Sequence, residues 1–183
     1  MGQYVANKGE EPQQSPVLRS LGRGAVVYPL AKIVQPENLS LGDHSTIDDF
    51  VFLNAGRDTS IGRYVHVGSH ASVIGGGELE VGDYAVIATG ARILTASDSD
   101  RDGAFMTTHA PDEMRAVFDA KVTIGVHAFV GANAVVMPGV TLAEGAVAGA
   151  GSVVTSDLEA WTVYVGTPAR PVRTRVRPEP DTL

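Results

Sequence analysis

An aliphatic side chain returns every six residues along most of this chain, and few folds can use that period. The series runs through Leu21, Val27 and Ile33, then Leu41, Ile47 and Leu53, then Ile61, Val67 and Val73, then Val81, Ile87 and Ile93. It resumes at Ile124, Val130 and Val136 and ends with Leu142, Ala148 and Val154. Seventeen of these eighteen residues are Val, Ile or Leu, which make up 43 of the 183 residues; chance would place about four there. A helix would space its apolar residues by three and four, and an ordinary strand by two.

The fourth residue after each repeat position is small, as at Ala25, Ser45, Ala71, Ala91, Ala134 and Ser152. The residue directly after the repeat position itself is often glycine, as at Gly22, Gly42, Gly62, Gly82, Gly125 and Gly149. Such a pattern suits short flat strands joined by tight turns, with the aliphatic residue and its small partner pointing inward. The interval exceeds six only between 33 and 41, 53 and 61, 73 and 81, and 93 and 124. Every longer interval follows a third repeat, so every insertion leaves the same corner of a three-sided coil. The spacing therefore predicts an all-β parallel β-helix of about six triangular coils stacked on one core. It divides the chain into a polar arm (1–20), the β-helix (21–155, with a loop 94–123 inserted after the fourth coil) and a C-terminal tail (156–183).

Composition narrows the function. The length fits one domain. A net charge of -7 argues against general nucleic-acid binding, although Arg170, Arg173, Arg175 and Arg177 crowd the C-terminal end. No apolar run is long enough for a bilayer, and the first twenty residues lack a signal-peptide core, so no membrane association is expected. The absence of cysteine removes disulfides, thiolate metal sites and a thiol nucleophile. A cytoplasmic protein is the expectation.

Several stretches carry a family likeness. They are Pro36 to Asp43 (PENLSLGD), Tyr64-Val65-His66-Val67-Gly68, Ala96-Ser97-Asp98, Ile124-Gly125 through Val136, and Trp161 through Arg170 (WTVYVGTPAR). Together they resemble the left-handed β-helix acyltransferases of the hexapeptide-repeat type, over about residues 18–177. Bacterial sugar O-acetyltransferases are the nearest in pattern, including the galactoside and maltose enzymes and those of surface-polysaccharide synthesis. The resemblance implies a left-handed coil, a homotrimer, and transfer of an acetyl or other short acyl group from acetyl-coenzyme A to a small acceptor. That acceptor would be a sugar or nucleotide-sugar.

Transferred residue by residue, the likeness puts pantetheine-side backbone contacts at Ala132 and Ala150, and phosphate-binding basic residues at Arg170 and Arg173. Arginine suits phosphate because its planar fork donates paired hydrogen bonds. Phe129 stands where the family often has tryptophan. The loop 94–123 is long enough to be functional, and in the family it reaches across a subunit boundary.

Acyl transfer to a hydroxyl needs a base, and histidine titrates in the right range. His44, His70 and His127 fall at turn corners, where polar residues are common. His66 falls on an outward face in register with Val86 and Phe129, and is the first candidate; His109, in the loop, is the second. The galactoside and maltose enzymes have their catalytic histidine just past the strand that ends here near Thr95-Ala96. At that place this chain has Asp98, which would orient an imidazole or bind the acceptor. An amine acceptor, itself the better nucleophile, would need no strong protein base.

No metal is expected. Asp98 to Gly103 matches the start of a calcium-binding loop, but His109 occupies the place of its bidentate glutamate. A zinc lyase of the same fold needs three converging histidines. His44 and His127 would lie three coils apart, about 14 Å, too far for Zn–N bonds of about 2 Å. A non-catalytic β-helix subunit remains the alternative to an enzyme.

Overall fold

The computed structural model describes residues 3–4 and 17–178. Three parallel sheets form the sides of a triangular prism. One side stacks Leu39–Leu41 on Asp58–Ile61 and Glu78–Val81; the second stacks Thr46–Ile47, His66–Val67, Val86–Ile87 and Phe129–Val130; the third stacks Phe52–Asn54, Ser72–Ile74 and Arg92–Leu94. In the order the chain visits them, these are the first, second and third faces. Each corner is named by the faces it joins.

All the repeat residues except Leu21, on the end coil, are buried and form one continuous core. Every interior strand pairs with the coil before and the coil after it, as Ile61 does with Leu41 and Val81. The buried Ser45 hydroxyl is satisfied between coils: its Oγ donates to the Gly62 carbonyl (2.7 Å) and accepts from the Val65 N–H (2.9 Å). Where coils meet backbone to backbone, only glycine fits; a Cβ on Gly131 would lie 2.5 Å from the Ala150 nitrogen.

The corner between the first and second faces carries a column of rings. His44, Tyr64, Tyr84 and His127 share a left-handed turn conformation (φ 57–59°) and stack at 5.0–5.1 Å. One coil further, Gly145 leaves a gap that the ring of Trp161 fills, 6.1 Å from His127. Two of the three turn histidines, His44 and His127, thus belong to a spine along this corner, while His70 stacks on Phe50 (5.1 Å) at the corner between the second and third faces.

A seventh turn follows the six legible in the repeat. Leu158 bridges to Leu142, Val163 and Tyr164 pair with Val147 and Ala148, and the Ala169 N–H donates to the Val153 carbonyl (2.8 Å). The step from Val154 to Leu158 is four residues instead of six, which hides this turn from the spacing rule. Arg170–Thr174 then folds back antiparallel on Thr162–Val165. At the other end Gln3–Tyr4 pairs with Val26–Val27; the rest of the polar arm up to residue 16 lies outside the described residues. Among the described residues no helix is long and apolar enough to cross a membrane.

Candidate active site

The insertion after the fourth coil is an antiparallel ribbon, Ala96–Ser99 against Ala116–Asp119, with 3-10 turns at Arg101–Gly103 and Asp112–Met114. Its two ends are tied by the Ala120 N–H donating to the Thr95 carbonyl (3.1 Å). Arg57, from two coils below, grips the root: its Nη2 lies 2.7 Å from Asp119 Oδ1, and its Nε 3.6 Å from Glu78 Oε1 on the coil between. The Arg57 hydrogen bond holds the Asp119 carboxyl below its ordinary pKa.

The ribbon leaves the corner between the third and first faces and overhangs the coils that follow. Beneath it lies an open cleft of about 490 Å³, lined by Ser97, Asp98, Asp100, Arg101, Phe118 and Met137 among others. Asp98 is the most firmly held polar group there. Arg115, just before the facing strand and two residues from Asp98's cross-strand partner Val117, sends both Nε (3.1 Å) and Nη2 (2.8 Å) to the same oxygen, Asp98 Oδ1. The pair is 15% and 18% exposed. Among the described residues nothing bonds Asp98 Oδ2, which remains an acceptor. His109 lies in an exposed turn beyond the ribbon strands, its N–H 3.3 Å from Thr107 Oγ1, and touches neither Asp98 nor His66.

His66 is on the second face, in register with Thr46 and Val86, and Val86 with Phe129. Its imidazole is half-exposed, and Nε2 lies 2.9 Å from Asp48 Oδ2. A carboxylate in that position selects the Nε2–H tautomer and leaves Nδ1 as the basic nitrogen. Phe129 is exposed on the same face. Ala132 and Ala150 follow at the adjacent corner between the second and third faces, one coil apart, with the Gly151 N–H on the Ala132 carbonyl (2.8 Å). Arg170 and Arg173 lie on the exposed strand that closes this face. Their guanidinium groups reach only the carbonyls of Ala169 (3.0 Å) and Thr174 (3.3 Å), and no carboxylate among the described residues neutralises them.

The expected residues therefore fall into two sets. His66, Phe129, Ala132, Ala150, Arg170 and Arg173 lie along one face and its corner. Asp98 and His109 belong to the ribbon, rooted at the one corner that this face does not touch. Two partners escaped the sequence reading. Asp48 falls one coil before His66, a relation a coil-by-coil alignment of the repeat displays. Arg115 is brought to Asp98 only by the hairpin register of the ribbon, which no periodic signal announces.

A coiled core of hexads with an extruded acid-bearing ribbon and an unneutralised basic edge defines a group-transfer scaffold of the hexapeptide-repeat class. The chain belongs to the hexapeptide-repeat acyltransferase family and is a coenzyme A-dependent acyltransferase. Residues 121–156 match the family model described as the hexapeptide repeat of succinyl-transferase. The chain is 34% identical over 158 residues to the dTDP-4-amino-4,6-dideoxy-D-glucose acyltransferase of Escherichia coli, covering 86% of this chain and 82% of that enzyme. It is 25% identical over 134 residues to the galactoside O-acetyltransferase of Escherichia coli K12, covering 73% and 63%. In structure it is similar to AntD, an N-acyltransferase from Bacillus cereus, in a single-residue variant complexed with dTDP-4-amino-4,6-dideoxyglucose and coenzyme A. That likeness has a TM-score of 0.83 at 32% identity and covers 87% of this chain and 85% of AntD.

Proposed function

We propose that this enzyme transfers a short acyl group from acyl-coenzyme A to the amino group of a nucleotide-linked 4-amino sugar. The observation that carries the reading is Asp98. A carboxylate with one free oxygen stands where the O-acetyltransferases present an imidazole, and it suits an N–H donor. The similarity to two enzymes named for amino-sugar acylation or N-acylation supports the same choice. In this reaction the amine nitrogen attacks the thioester carbonyl, the C–S bond breaks, the nitrogen loses a proton and the coenzyme leaves as its thiol.

In this reading Asp98 Oδ2 accepts an amine N–H and His66, oriented by Asp48, takes the proton. His109 closes over the acceptor. Ala132 and Ala150 line the pantetheine path beside Phe129, and Arg170 and Arg173 hold the coenzyme phosphates. The site is shared between subunits of a homotrimer, because one copy keeps its two residue sets apart. We place the reaction in the cytoplasm, where acyl-coenzyme A and nucleotide sugars are made.

Thiol release tests the proposal. With acetyl-coenzyme A, dTDP-4-amino-4,6-dideoxyglucose should turn over at least about tenfold faster than maltose or a galactoside. The His66–Asp48 pair favours a second reading, transfer to a sugar hydroxyl, and the reverse order of rates would establish it.

A further inference from the structure

We infer that Arg115 is a positioning residue that lets the site bind its acceptor amine uncharged. The inference rests on the amine-acylation reading and deepens it. An amine attacks a thioester only as the free base, because the ammonium form has no lone pair to give. A lone carboxylate beside a bound amine opposes that requirement: an opposite charge within about 4–6 Å stabilises the protonated form by about one to three pH units. A site using Asp98 alone would thus hold its substrate mostly in the unreactive state at neutral pH.

Arg115 removes this conflict. Both of its bonds converge on Asp98 Oδ1, at 2.8 and 3.1 Å, so the pair is electrically neutral as a unit while Oδ2 still accepts a hydrogen bond. The pair is mostly withdrawn from solvent, which makes the cancellation effective. The surrounding charges do not replace it. Asp100 and Arg101 line the same cleft with opposite signs, and Met137, Pro138 and Thr155 on the coils are uncharged. Asp112 touches Arg115 through Nη1 at 3.4 Å, on a side chain that is 98% exposed and well screened. Glu113 lines the neighbouring cavity with Arg115 and adds negative charge, which makes a cation at residue 115 more necessary.

The test compares kcat against pH for the wild type, Arg115→Gln and Arg115→Lys with the same amino-sugar nucleotide. The acid limb of kcat reports protonation of the bound amine or of His66, and repeating the series in a His66→Ala background, where only the amine titrates, assigns it. In Arg115→Gln that limb should move up by about one pH unit or more, with the wild-type plateau regained at high pH. Arg115→Lys should remain near the wild type, and acyl-coenzyme A KM should stay constant in all three. A uniform drop in kcat with an unmoved limb would overturn the inference and make the pair merely structural. Should Arg115→Gln fail to fold, Arg115→Lys together with Asp98→Asn decides. Removing the carboxylate charge while keeping the arginine should move the limb down, and a limb moved up or unmoved contradicts the proposal. Wild-type enzyme that acylates no amine would instead overturn the functional reading itself, a result visible before any variant is made.

Discussion

His66 and Asp98 lie on opposite sides of the same prism: His66 projects from the second face, and the ribbon that carries Asp98 is rooted at the corner between the other two. The packed core separates them, so any site using both draws them from different copies of the chain. His66→Ala and Asp98→Ala, each strongly impaired alone, should therefore complement when co-expressed. Random mixing puts the two intact residues together at about a quarter of the interfaces, and about that share of wild-type activity should return. Purified mixed oligomers with no activity above either parent would place the two residues in separate functions.

His66→Ala should lower turnover by about a hundredfold, the ordinary contribution of a positioned base, and leave coenzyme A affinity unchanged. Steady-state kinetics and calorimetry check the two halves separately. A loss under about threefold would take His66 out of the chemistry and leave the amine to react unaided.

Arg170→Ala should weaken coenzyme A more than a truncated thioester that lacks the nucleotide phosphates. Titration calorimetry with both ligands gives the comparison. Equal losses would assign Arg170 to the fold, where its strand already pairs with Thr162–Val165.

Gly145→Ala should destabilise the protein by about 1–3 kcal/mol and lower its Tm by several degrees. Residue 145 has φ 68°, and a Cβ there would lie 2.4 Å from the Trp161 ring, so the change strains the turn and expels the last ring of the column. An unchanged melting curve would show that the column contributes nothing to holding the seventh turn.

The prism itself was legible because its rule is periodic. Val67 and Val130 are buried for the same reason at the same point of the hexad, and the intervals at 33–41, 53–61, 73–81 and 93–124 mark one corner. Legibility ended where the period broke. The four-residue step to Leu158 concealed a turn, and the ribbon from Ala96 to Asp119 obeys hairpin pairing, so the Asp98–Arg115 bond had no spacing to betray it. The hexad places His66 on an outward face, while its neighbour Asp48 shows only when the adjacent coil is laid beside it.

The tie between Ala120 and Thr95 closes the ribbon upon itself, and this separates the insertion from the coils that carry it. Deleting residues 97–119 would return the 93-to-124 interval to the eight residues found at the other exits, so the coil can be sealed without a trace of the insertion. Selection can lengthen, recharge or exchange this appendage while the coils stay intact. On the proposed reading, acceptor choice resembles an interchangeable tool head on a fixed handle.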